Sequence, residues 1–354
     1  MMTPSRRSAA GSTVEDMINQ ATVTSLSWIA SESVSGAMKL GFSSGVSHYD
    51  APPPDHLDDL FALRDQDAFR FANRLDAWAE FDGDTPVSWG QSGGVVMGST
   101  TVNVAGMDAT FAGVTMPELR AAPVVGEGFV TFTQTVGGRT ACPLPRRTTR
   151  PPFLRLRSPI VWTTLELTLR SDGTSESALT SASPFPRHWV YDAQGDLVLK
   201  SGVADWRGWV SQPSWTQTPW GDVNTPAVVA AAETALEREL SGLIMGNEVK
   251  HRVRDLKAGE VLARQGEAGD SLMLLLDGVV AVSVDDRPVA ELGPGAVLGE
   301  RAVLERRTRT ATLTATTPVR VASAPADAID RDALAQLSRG HHREELAFAP
   351  ADPE

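Results

Sequence analysis

Between residues 257 and 298 the chain breaks into short apolar runs separated by turns built on glycine or aspartate. Lys257-Ala258-Gly259-Glu260 leads into Val261-Leu262-Ala263, and Gly266-Glu267-Ala268-Gly269-Asp270 leads into the apolar run 272–276. Asp277-Gly278 then leads into 279–284. Asp285-Asp286-Arg287-Pro288 turns tightly into Val289-Ala290, and Gly293-Pro294-Gly295 turns the chain again. Short strands at a spacing of about ten residues, each bounded by such turns, are the pattern of a small β-barrel or jelly roll.

The aromatic residues divide the chain. All nine Trp fall at or before Trp220, and the only aromatic after it is Phe348. Two stretches with such different core chemistry make two domains. Between them, residues 212–226 are rich in proline and turn formers. Thr225 and Pro226 then suit the cap and first position of a helix, and Val229, Ala232, Leu236, Leu240, Leu243 and Ile244 recur at helical spacing. The expected organisation is a disordered tail over 1–12, a mostly β domain over 13–211 and a linker with a connecting helix over 212–247. A second domain follows over 248–340, then a tail over 341–354.

The first domain reads as helical patterns over 13–42 and 55–74, then strands from about 76 onward. Val130 and Phe132 alternate with threonines, and Leu165, Leu167 and Leu169 alternate with Glu166 and Thr168 before a Ser-Asp-Gly turn. Trp189-Val190-Tyr191, the turn 192–195 and Leu197-Val198-Leu199 read as a hairpin. The fold class expected is mainly β with flanking helices (α+β): an antiparallel sandwich or barrel followed by a β-barrel of the jelly-roll kind.

Composition narrows the function classes. With 42% hydrophobic and 21% charged residues in 354, the chain can bury a core. A net charge of -12 argues against a protein that coats nucleic acid. One cysteine, Cys142, forms no internal disulfide and no Cys-rich zinc site. The sequence has no run of about 18 apolar residues and no secretory h-region at its start, so a cytoplasmic protein without a membrane span is expected.

The chemistry concentrates in residues 298–312, Leu-Gly-Glu-Arg-Ala-Val-Leu-Glu-Arg-Arg-Thr-Arg-Thr-Ala-Thr. Gly299 lets the backbone approach a ligand closely. A short helical turn over 300–304 would offer unpaired N–H groups to an anion. Glu300 can accept hydrogen bonds from a diol, and Arg309 offers a planar fork to two phosphate oxygens. Ala302 and Ala311 are small enough for a ligand to lie against the backbone. The parts fit a sugar joined to a phosphate monoanion.

On these residues, 250–338 resemble a cyclic nucleotide-binding domain. The stretch is similar to its phosphate-binding cassette, Gly-Glu-x-Ala-x-Leu followed by Arg-[Ala/Thr]-Ala-[Thr/Ser]. Glu300 and Arg309 stand nine residues apart, as in the eukaryotic kinase type. Gly266, Gly269-Asp270 and Asp277-Gly278 also match the family's glycine pattern. The resemblance implies that Glu300 binds the ribose 2′-hydroxyl and that Arg309 pairs with the cyclic phosphate, helped by the Ala302 backbone N–H. Thr310 sits where related proteins carry Ala or Thr, which leaves both cAMP and cGMP as expected ligands, with no metal. Arg301 and Thr308 depart from the pattern, standing where the family usually has an apolar residue and a proline. Transcription factors of the family append a DNA-reading domain, and only a helical stretch at about 327–338 and a short tail follow here, so DNA is not an expected partner.

The expected function is a cyclic nucleotide-binding regulatory protein whose second domain controls the first domain or a partner, with a homo-oligomer or protein partner left open. Two alternatives stand beside it. The first domain is an enzyme regulated by the barrel, in which His188 between Arg187 and Trp189 supplies an acid or base. Or the barrel has lost its ligand and serves in a scaffold or shell-associated protein. Arg146, Arg147, Arg150, Arg155 and Arg157 are expected to form a solvated loop.

Overall fold

The computed structural model describes residues 17–34, 39, 49–104, 107–140, 144–147, 154–157, 159–206, 209, 218–221, 227, 229–231, 252–299, 302–303 and 308–325. Its N-terminal part is a sandwich of two antiparallel sheets. The first runs, in spatial order, Val229–Ala231, Leu197–Ser201, Arg187–Tyr191, Met17–Trp28, Phe71–Asp82 and Thr85–Met97. The second runs Ser175–Ala182, Ile160–Arg170, Phe129–Arg139 and Val114–Thr115. Val23, Leu75, Ala77 and Phe81 from the first sheet meet Val130, Phe132, Leu165 and Leu167 from the second in one core. The alternation at 130–132 and 165–169 therefore has a direct cause: every second side chain enters the space between the sheets. The hairpin of Arg187–Tyr191 with Leu197–Ser201 also forms.

Two helical expectations give way to strands. Residues 17–28 and 71–82 are both twelve-residue strands, paired to each other along their length. From Val23 to Trp28 the first of these strands is buried on both faces, while Ile18 and Gln20 are exposed. Val23 points into the sandwich, while Leu26 and Trp28 pack on the outer face beneath Leu60 and against Trp189. A strand covered on both sides loses the clean period of two that would have identified it. Phe71–Asp82 carries Leu, Ala and Glu, good helix formers, and its tertiary setting overrides that preference. Within the expected helical span 55–74, only Leu60–Asp65 is helical, capped by Asp59, whose carboxylate accepts from the amides of Phe61 and Ala62.

The connecting helix expected over 226–245 does not start where the sequence suggests. Val229–Ala231 is a strand that pairs with Leu197–Ser201, Leu199 facing Ala231, and closes the edge of the first sheet. Residues 232–245 and the helical stretch at 327–338 lie outside the described residues.

The C-terminal part is a pair of four-stranded antiparallel sheets packed face to face. One runs Arg252–Leu256, Val319–Pro325, Ser271–Asp277 and Val297–Leu298, and the other Val261–Ala263, Thr312–Ala315, Val280–Val284 and Arg287–Leu292. Leu256, Leu262, Met273, Leu275, Val280, Leu298, Leu313 and Val321 fill the space between them. This is the mainly β architecture and the small barrel that the glycine-spaced runs predict. At Asp285-Asp286 the φ angles are 50° and 61°, the left-handed pair that a two-residue hairpin turn requires. No helix among the described residues is long and apolar enough to cross a membrane.

Candidate functional site

Arg309 is positioned by its own backbone. Its N–H donates to the Glu267 carbonyl at 2.7 Å and its carbonyl accepts from Gly266 N–H at 2.9 Å. Ala268 and Thr308 form a bridge beside this pair. The turn over 264–269 and the approach to the Thr312–Ala315 strand are thereby held together, and the arginine side chain is sent inward. The residue is only 7% exposed. A guanidinium so buried must find oxygen acceptors. Nη2 donates to the Ser271 carbonyl at 3.0 Å and to Ser271 Oγ at 3.1 Å, and Nη1 reaches the Gly299 carbonyl at 3.5 Å.

Three small residues make the slot. Gly299 has φ +87°, and a Cβ there would collide with Arg309 Nη1, so glycine is required twice over. A Cβ on Gly269 would collide with that of Ala302 and lie 3.4 Å from Arg309 Cδ. Ala302 is itself buried, one turn into the segment that opens when Val303 N–H donates to the Gly299 carbonyl at 3.3 Å. The backbone packs onto the guanidinium with no room for larger side chains.

Of the residues expected at the site, Gly299, Ala302 and Arg309 converge. Thr310 is exposed, and Ala311, half-buried, follows it toward the Thr312–Ala315 strand. Glu300 lies outside the described residues, as do Arg301, Arg306 and Arg307. Sequence reasoning missed Ser271. A serine at a strand start carries no spacing signal, and only the fold reveals that both its oxygens face Arg309. A cleft of about 340 Å³ opens beside the turn, lined among others by Arg254, Glu260, Arg264 and Glu267.

His188, the candidate acid or base of the first domain, has a structural job. His188 is 1% exposed. Ser27 Oγ lies 2.6 Å from Nδ1 and the Ser183 carbonyl 2.9 Å from Nε2. The only tautomer that satisfies both carries its proton on Nε2 and accepts the Ser27 hydroxyl proton at Nδ1. Burial pushes its pKa down to about 4, so the ring is neutral. Arg187 is buried beside it, directed toward the second domain, where Nη2 donates to the Leu276 carbonyl. The basic run at 146–157 contributes a two-stranded hairpin, Leu144–Arg147 with Leu154–Arg157, in place of the expected loop. Among the described residues no group of three or more His, Cys, Asp or Glu is placed to hold a metal ion.

Residues 253–333 match the family model of the cyclic nucleotide-binding domain, and this part of the chain is such a domain. Over 130 residues the chain is 32% identical to a cyclic nucleotide-gated potassium channel of Rhizobium etli, covering 36% of each protein. It is 37% identical over 79 residues to a cGMP-dependent protein kinase of Eimeria tenella, covering 22% of this chain and 8% of the kinase. Over 74 residues it is 45% identical to the acetyltransferase Pat of Mycolicibacterium smegmatis, covering 19% of this chain and 22% of the acetyltransferase. The chain thus spans little more than a third of the channel and less of the other two.

Proposed function

We propose that the C-terminal domain binds a cyclic nucleotide, cAMP or cGMP, and that binding regulates the N-terminal sandwich or a protein that it contacts. Arg309 is the phosphate ligand in this reading, Glu300 the ribose ligand, and Gly299 and Ala302 keep the backbone close. Thr310 and Ala311 complete the wall on which the phosphate rests. The observation that carries the reading is the Arg309 guanidinium, buried against Ser271 and Gly299 in a slot of small residues. A guanidinium that can form parallel bonds to two oxygens suits a cyclic phosphate at this position.

The relatives named above are a cyclic nucleotide-gated potassium channel, a cGMP-dependent protein kinase and an acetyltransferase, and regulation of an attached unit is what this reading takes from them. The enzyme alternative loses its acid–base residue, because His188 is fully engaged in the core.

Calorimetric titration of the full chain with cAMP and with cGMP tests the proposal. Binding is expected, and Arg309→Ala is expected to weaken it by about 1.5–3 kcal/mol, the usual worth of a charged hydrogen bond. That is roughly ten- to a hundredfold in affinity. Absence of heat with both nucleotides at millimolar concentration would overturn the proposal.

A further inference from the structure

One strand of the barrel, Ser271–Asp277, carries the cassette arginine at its first residue and the N-terminal domain at its last. At the far end, the turn after Asp277 is inserted into the N-terminal domain. Gly278 N–H donates to the Gly202 carbonyl at 2.7 Å, and Ala204 N–H donates to Asp277 Oδ1 at 3.0 Å. Arg187 Nη2 donates to the Leu276 carbonyl and lies 3.8 Å from Asp277 Oδ1. Its Nε lies 3.6 Å from Glu32 Oε1. Arg320, opposite Asp277 on the neighbouring strand, donates from Nη1 to the Glu32 carbonyl at 3.0 Å. At the near end, both oxygens of Ser271 accept from Arg309 Nη2. Between the ends, 272–276 are all buried.

Phosphate capture and the Ser271 contact compete for the same nitrogen. A guanidinium takes a phosphate with two parallel bonds along one of two edges, Nε with Nη2 or Nη1 with Nη2. Both edges include Nη2, and the two protons of Nη2 are the ones given to Ser271. Two-pronged binding therefore takes at least one hydrogen bond from the start of the strand. A strand whose five central side chains are close-packed has little room to compress, which suits it to carry a displacement from one end to the other.

We propose that Ser271–Asp277 couples the cassette to the N-terminal domain: the docked turn at 277–278 opposes nucleotide binding, and nucleotide at Arg309 loosens the dock. The inference rests on the nucleotide-binding reading above and adds the route by which it reaches the first domain. Coupling of this kind is reciprocal, so the factor by which nucleotide loosens the dock is the factor by which loosening the dock raises affinity.

Two measurements on the full chain test it, with cAMP and cGMP as probes. Asp277→Ala removes the acceptor of Ala204 N–H and is expected to bind nucleotide at least about fivefold more tightly than wild type. In the wild type, saturating nucleotide is expected to speed hydrogen exchange at the amides of Gly278 and Ala204, which are themselves the donors across the contact. The second measurement needs no variant and stands if Asp277→Ala fails to fold. Equal affinities within about twofold, or exchange at these two amides that is unchanged or slowed by bound nucleotide, would overturn the coupling while the binding reading survives. No binding by the wild type would overturn both.

Discussion

His188 shows how much a single buried ring can contribute. It is held neutral between Ser27 and Ser183, with a pKa near 4 against an ordinary 6.5. A histidine whose folded pKa is depressed stabilises the fold above its unfolded value, and that stability is lost as pH falls toward the folded one. The window here runs from 6.5 down to about 4, and the gap is worth roughly 3 kcal/mol. Thermal unfolding of the wild type is therefore expected to lose midpoint between about pH 7.5 and about pH 4.5, and His188→Gln, which cannot titrate, to lose less. Equal losses would show that the ring does not titrate against folding. From sequence alone His188 could be an acid–base group or a packed strand residue, because the flanking Arg and Trp suit either role. Its two partners lie 161 and 5 residues away along the chain, and the distant one is invisible without the fold. Part of the Arg309 site was legible for the opposite reason: Gly299 and Ala302 stand close before it in one stretch, whereas Ser271, 38 residues away, was not.

At the scale of elements, Ser271–Asp277 carries five consecutive buried residues, and Leu275 is only 1% exposed in the barrel core. Leu275→Ala should cost about 2–5 kcal/mol from the lost burial and the cavity left behind. Denaturant titration followed through the barrel would read it as a lower midpoint, and a loss under about 1 kcal/mol would mean that the neighbours collapse into the gap. Which elements the sequence revealed follows from how many of their faces are covered. The barrel strands are short and sit between glycine turns whose backbone conformations are demanded by the hairpins, so they were legible. Met17–Trp28 is covered on both faces from Val23 onward and Val229–Ala231 is an alanine-rich edge strand, so neither shows a clean period of two along its length. The apolar spacing suggested helices in both places, and the partner strands decide otherwise.

At the scale of the whole molecule, the N-terminal sheet extends past the proline-rich stretch used to mark its end. Val229–Ala231 completes it, Ala227 N–H donates to the Thr180 carbonyl, and Trp220 Nε1 donates to the Pro117 carbonyl at 2.7 Å. A fragment ending at residue 211 should consequently be less soluble and unfold at lower temperature than one ending at 231. Indistinguishable melting curves would mean that the last strand adds nothing. The spatial order of that sheet also has a consequence for how the protein is made. The first strand among the described residues, Met17–Trp28, lies in the interior of the sheet, between Phe71–Asp82 and Arg187–Tyr191. One neighbour is synthesised soon after it, but the other lies some 160 residues later. At about 5–20 residues per second, a ribosome takes on the order of ten to thirty seconds to deliver it. During that interval a row of unpaired backbone donors and acceptors stands open on a nascent hairpin, and that edge is where a chaperone or a neighbouring nascent chain would find this protein.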